Sequence, residues 1–117
     1  MAESILLRTC LDRLQWAQNQ GQCWYERLNS GKIFATYKDK HDNEHQRAIN
    51  LCRQGTADII VIQRNGFEIT SKVTFLETKS KKGRQTKDQR EFERDVRKQG
   101  CNYILVKNIE QLEVLWS

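Results

Sequence analysis

The chain has 117 residues, enough for one domain around a single modest core and too few for a second. Charged residues make up 30% and hydrophobic ones 38%, and the apolar residues fall in periodic runs, which argues against a disordered chain. The formal net charge is +5, and residues 79–98 hold nine Lys or Arg against four Asp or Glu while the remainder carries eleven of each sign, so one stretch holds the whole surplus. Such a localised patch points to a polyanion, most simply nucleic acid, with a solvated helix face as the plain alternative.

In chain order, Ile5, Leu6, Leu7, Cys10, Leu11, Leu14 and Ala17 recur at helical spacing, and Gly21 fits the left-handed position after a helix, so a first helix is expected over residues 3–20. Residues 24–28 and 33–37 are rich in aromatic and branched side chains and are separated by Asn29, Ser30 and Gly31; they read as a hairpin. Residues 38–54 are polar and read as a loop with one short helix. Residues 57–63, with four consecutive branched residues from Ile59 to Ile62, read as a strand buried on both faces. Further strand segments are expected at 67–69 and 73–79. Thr86 and Gln89 form a capping box that opens a second helix reaching Gln99, closed by Gly100. Residues 102–107 read as another buried strand, and 109–116 as a final turn and strand. The order gives an α/β domain over residues 1–117, a mixed sheet flanked by helices.

Cys10, Cys23, Cys52 and Cys101 are scattered without a CxxC pair. With no signal peptide and no membrane-length apolar stretch, the chain reads as intracellular, with reduced thiols that are mostly small core residues. His41 and His45 would share a helix face, yet no cysteine pair completes a zinc site, and in a polar run they are expected to face solvent or lie close to DNA.

The chemistry concentrates around three residues. On a strand, side chains two apart share a face, so Glu77 and Lys79 project together while Thr78 points away. If the strand of Asp58 is a neighbour, two hard oxygen donors meet an ammonium, a set able to hold Mg²⁺ with water and phosphate oxygens. Gly55, Thr56 and Ala57 just before Asp58 suggest a close backbone approach, and Lys81, Lys82, Arg84 and Lys87 follow Lys79 as candidate phosphate contacts. A bare Glu-x-Lys also occurs on exposed edge strands; the surroundings give this one its meaning. Glu3 lies on the apolar stripe of the first helix, either as a third carboxylate meeting a cation or as a residue favoured by the helix dipole. Gln89 precedes Phe92 and Val96 by three and seven, which aims it inward.

The series Glu3, Gly55-Thr56-Ala57-Asp58, Glu77-Thr78-Lys79 and Gln89 resembles the virus-type replication-repair nuclease (VRR-NUC) family of the PD-(D/E)XK nucleases, from Glu3 to about Val106. The resemblance extends to Arg27-Leu28-Asn29-Ser30-Gly31 and to Gly100, and departs at Ala57, where the family has proline. It implies a divalent-metal DNA endonuclease with Glu3, Asp58, Glu77 and the Thr78 main-chain carbonyl around Mg²⁺, or Mn²⁺ in its place, and with Lys79 and Gln89 completing the site. It also implies a homodimer acting on branched DNA such as four-way junctions, in the cytoplasm of a bacterial or phage-infected cell, with no membrane partner and no nucleotide cofactor. One conflict is visible. A two-residue turn at Asn65-Gly66 would make paired residue numbers sum to 131 and set Asp58 opposite Val73, so the motif requires a longer or bulged connection.

Overall fold

A computed structural model describes residues 2–29 and 31–117. The elements are α1 (Glu3–Asn19), β1 (Trp24–Arg27), β2 (Lys32–Lys38), β3 (Glu44–Asn50), β4 (Ile59–Arg64), β5 (Ser71–Thr78), α2 (Lys87–Lys98), β6 (Asn102–Val106) and a 3₁₀ helix, Ile109–Trp116. The main sheet runs β1-β4-β5-β6. Its first two pairings are antiparallel and the last is parallel, with α2 as the crossover, so the fold is mixed α/β with flanking helices.

The alternation of side chains along the strands builds two cores. On one face Ile59, Val61, Leu76 and Val106 meet Leu6, Cys10 and Leu14 of α1 and Leu112 and Leu115 of the 3₁₀ helix. Each such buried aliphatic side chain contributes roughly 2 kcal/mol. On the other, Phe92 of α2 packs with Ala57 and Tyr103, and its ring meets Phe75 edge-on at 5.1 Å. The two helices therefore cover opposite faces and leave the end of the sheet near Asp58 and Glu77 between their N-termini.

Several expectations are corrected. β1 does not form a hairpin with β2; it pairs with β4, and Leu28 N–H donates to the Asp58 carbonyl to extend that ladder. The apolar β4 needs a neighbour on each edge, and β1 supplies the outer one. Ser30, expected in a tight turn, lies outside the described residues. Residues 44–50, read as part of a loop with a short helix, are instead β3, paired with β2 in a separate two-stranded sheet. The Asp39 carboxylate accepts from the His41 and Asn43 amides and closes that hairpin. Phe67 and Ile69 stand fully exposed in the β4–β5 turn and form no strand. Residues 109–116 are 3₁₀, not a turn and strand: Ile109, Leu112 and Leu115 recur every three residues, the period of that helix, and Asn108 caps it with Gln111.

The conflict at Asn65-Gly66 resolves. Asn65 N–H donates to the Thr70 carbonyl, six residues separate the strands, and paired numbers sum to 135, as in Ile59↔Leu76. One step further along the same register sets Asp58 alongside Glu77.

Candidate active site

The cleft at this end of the sheet is lined by Glu3, Gln54, Gly55, Thr56, Asp58, Glu77, Thr86, Asp88 and Gln89. Four segments build it: the first turn of α1, the approach to β4, the end of β5 and the first turn of α2. Gly55 explains how the second and fourth come together. Its φ is +87°, and a Cβ there would lie 2.3 Å from the Asp88 carbonyl oxygen, so only glycine permits the contact.

Glu77 is 2% exposed. Gln89 Nε2 donates to its Oε1 at 2.7 Å, while Oε2 is buried without a partner. Burial first, then the neighbouring Asp58 carboxylate, push the Glu77 carboxyl up to about 8, against the opposing pull of Lys79; Glu3 adds to the upward push. Gln89 is held from its other end, because Oε1 accepts from the Thr86 amide (2.9 Å) while Thr86 Oγ1 accepts from the Gln89 amide (3.1 Å). The capping box thus aims the Gln89 amide at Glu77.

Asp58 is oriented by Thr78, whose amide and hydroxyl donate to Oδ2 at 2.8 and 2.7 Å. Both bonds fall on one oxygen, so Oδ1 is used by neither. Strand parity alone does not disclose that clamp, since it turns Thr78 away from Glu77 and leaves only its carbonyl as a donor to the site. Lys79 is half-buried beside Glu77, with its amide donating to the Val106 carbonyl (2.9 Å) in continuation of the β5–β6 ladder. Glu3 is exposed at the rim. Thr56, part of the stretch before Asp58, lines the cleft as well, and so do Gln54 and Asp88, which no sequence pattern singles out. The one available signal is the glycine at 55, which marks a backbone contact without saying with what. Among the described residues, no three His, Cys, Asp or Glu side chains are grouped so as to hold a metal ion. A cation here would rest on Asp58 and Glu77 together with water or main-chain oxygens, a donor set that suits Mg²⁺.

Lys81, Lys82, Arg84 and Lys87 lie on the segment that leads from β5 into the first turn of α2, and all four are exposed. None of the four is in an ion pair among the described residues, whereas Arg94 and Arg97 further along α2 are held by Asp95 and Glu93. His41 and His45 are exposed, and His45 bonds Asp39 and stacks on Tyr37 rather than meeting a second histidine. All four cysteines are free, but only Cys10 is fully buried, so the expectation that most are core residues holds for one. No helix among the described residues is long and apolar enough to cross a membrane. Comparison of the chain with models of known protein families, with curated proteins and with solved structures found no match.

Proposed function

We propose that this chain is a divalent-metal-dependent endonuclease of the PD-(D/E)XK type that hydrolyses DNA phosphodiesters, acting as a homodimer on branched DNA such as four-way junctions. The observation that carries the reading is Glu77, a buried carboxylate with one oxygen bonded to Gln89 and the other without a partner, set beside Asp58. An unpartnered buried carboxylate oxygen is costly, and a cation shared with Asp58 is the group that would satisfy it. Asp58 and Glu77 would hold Mg²⁺ or Mn²⁺, with water and the Thr78 carbonyl as further donors, while Glu3, the third carboxylate implied by the resemblance, stands at the rim and is not grouped with them. The ion, when bound, supplies Lewis-acid polarisation of a phosphate and acidification of water.

The remaining work falls to the chain itself. Thr78 fixes Asp58, and Gln89 fixes Glu77, so neither carboxylate has to reorganise as charge develops. Lys79 places a positive charge beside Glu77, where it orients an attacking water and offsets charge on the phosphorane. Lys81, Lys82, Arg84 and Lys87 hold backbone phosphates along the segment from β5 into α2 and set the register of the duplex without reading its sequence. A two-fold pair of such sites matches the two strands that must be nicked in a four-way junction.

The test is cleavage of labelled linear, flap and four-way DNAs with Mg²⁺, with Mn²⁺ and with chelator. Cutting is expected with either metal and not with chelator. Asp58→Ala, Glu77→Ala and Lys79→Ala are each expected to lower it roughly a hundredfold or more while DNA binding persists. Tight binding without cleavage by the wild-type chain under all metals would leave a DNA-binding module and overturn the enzyme reading. Equal cutting of flaps and junctions would remove the junction preference and leave the nuclease.

A further inference from the structure

The β2–β3 hairpin contacts no other element among the described residues. It extends the molecule to 61 Å, against 37 and 30 Å in the other directions. The radius of gyration is 17.4 Å, where a compact chain of this length would have about 13 Å. Two strands alone enclose no core, and an isolated hairpin is marginal in water. Yet both of its faces carry exposed apolar side chains. Phe34 is 68% exposed on one; Tyr37 (51%) and Ile49 (37%) lie on the other, where Ala35 and Arg47 complete a shallow concavity.

We propose that this arm is the contact between two copies of the chain, the arm of one pairing with the arm of the other about a two-fold axis. The inference rests on the homodimer proposed above and names its surface. Charge argues for this occupant over nucleic acid: residues 31–51 hold four Lys or Arg against three Asp or Glu, near neutrality, unlike the strongly basic stretch 79–98. Strand chemistry argues for a second copy. Each strand of the arm has one ladder partner and one open edge among the described residues, and antiparallel pairing of a strand with its own copy is self-complementary under a two-fold.

β2 suits this edge-to-edge addition because residues 33–37 contain no charge. With Ala35 opposite its own copy, Phe34 stands opposite Thr36 and position 33 opposite Tyr37. The unfavourable element is the lysine register at each end, position 32 opposite Lys38, offset in part by Asp42, which lies 3.5 Å from Lys38. β3 is the poorer edge, since Arg47 at its centre would meet Arg47.

Sedimentation of the full chain tests this, with the double variant Phe34→Glu, Tyr37→Glu beside the wild type. The wild type is expected at twice the chain mass at micromolar concentration, and the variant as a monomer with its dissociation constant raised at least tenfold and its far-UV spectrum and melting retained. A second measurement on the wild type reads the arm directly. Amides of residues 32–38 are expected to resist hydrogen exchange only at concentrations where the dimer forms; protection independent of concentration overturns the proposal. A variant that remains dimeric overturns the arm and leaves the homodimer standing, and one that stays dimeric but loses DNA affinity makes the arm a DNA contact instead. A wild type that is monomeric throughout removes arm and homodimer together, while its cleavage of DNA is read separately.

Discussion

At Glu77 the packing that serves the proposed chemistry works against the stability of the metal-free fold. Its carboxyl is raised from 4.5 to about 8 by burial and by Asp58, so the folded chain holds this proton more tightly than the unfolded one. The stability from the protonated form is complete below about pH 4.5 and is lost as pH rises through about 8. Glu77→Gln keeps a side-chain oxygen for the Gln89 donor and cannot ionise. In chelator it is therefore expected to match the wild type near pH 4.5 and to exceed it by on the order of 2–4 kcal/mol above pH 8. Denaturant melts across that range decide it: a constant offset between the two proteins would mean that Glu77 does not ionise on this schedule. At this scale much of the site is legible in the sequence. Strand parity joins Glu77 to Lys79, and helical spacing aims Gln89 inward, because both depend on local geometry. The Thr78 clamp on Asp58 and the presence of Asp88 depend on which strands and turns meet, and no local periodicity records that.

Among the elements, the approach to β4 and the first turn of α2 are joined through one backbone contact at Gly55. Gly55→Ala combines a left-handed φ with a Cβ placed 2.3 Å from the Asp88 carbonyl oxygen, and backbone there must move. Gly21, at φ +75° with open space around it, supplies the comparison, since alanine there carries only the conformational cost of roughly 1–2 kcal/mol. Gly55→Ala is expected to cost more than Gly21→Ala by at least about 2 kcal/mol and to lower metal-dependent cleavage, because α2 carries Gln89. Equal melting temperatures for the two variants would show that the contact is soft. The elements most legible in the sequence, α1, β4, α2 and β6, are those with a buried stripe or a cap. β3 escapes a sequence reading because none of its described side chains is buried, so the strand carries no period. β1 is recognisable as a strand but not by its partner, since proximity in sequence favours a hairpin while the apolar edge of β4 decides the pairing.

For the molecule as a whole, the positive charge concentrated in one stretch of sequence divides in space between cations held by acidic neighbours and cations left for a ligand. Arg94 and Arg97 belong to the first group, and Lys81, Lys82, Arg84 and Lys87 to the second, on the segment that leaves the proposed active site. The second group, in no ion pair among the described residues, is available to displace counterions from DNA. Replacing Lys81, Lys82 and Arg84 together with Ala is expected to weaken binding to all DNA sequences alike and to reduce the slope of log affinity against log salt by up to about 2.7 units per bound chain, about 0.9 for each phosphate that is no longer neutralised. Arg64, exposed at the far end of β4 from Asp58, is the control, and Arg64→Ala is expected to leave the slope unchanged. Fluorescence anisotropy with a labelled four-way DNA between roughly 50 and 200 mM salt, the range over which such contacts dominate, reads both variants. The comparison also separates binding from chemistry. The triple variant should recover its cutting rate at saturating DNA, because Asp58, Glu77 and Lys79 are untouched, whereas a rate that stays low at saturation would place one of these three cations in the reaction itself.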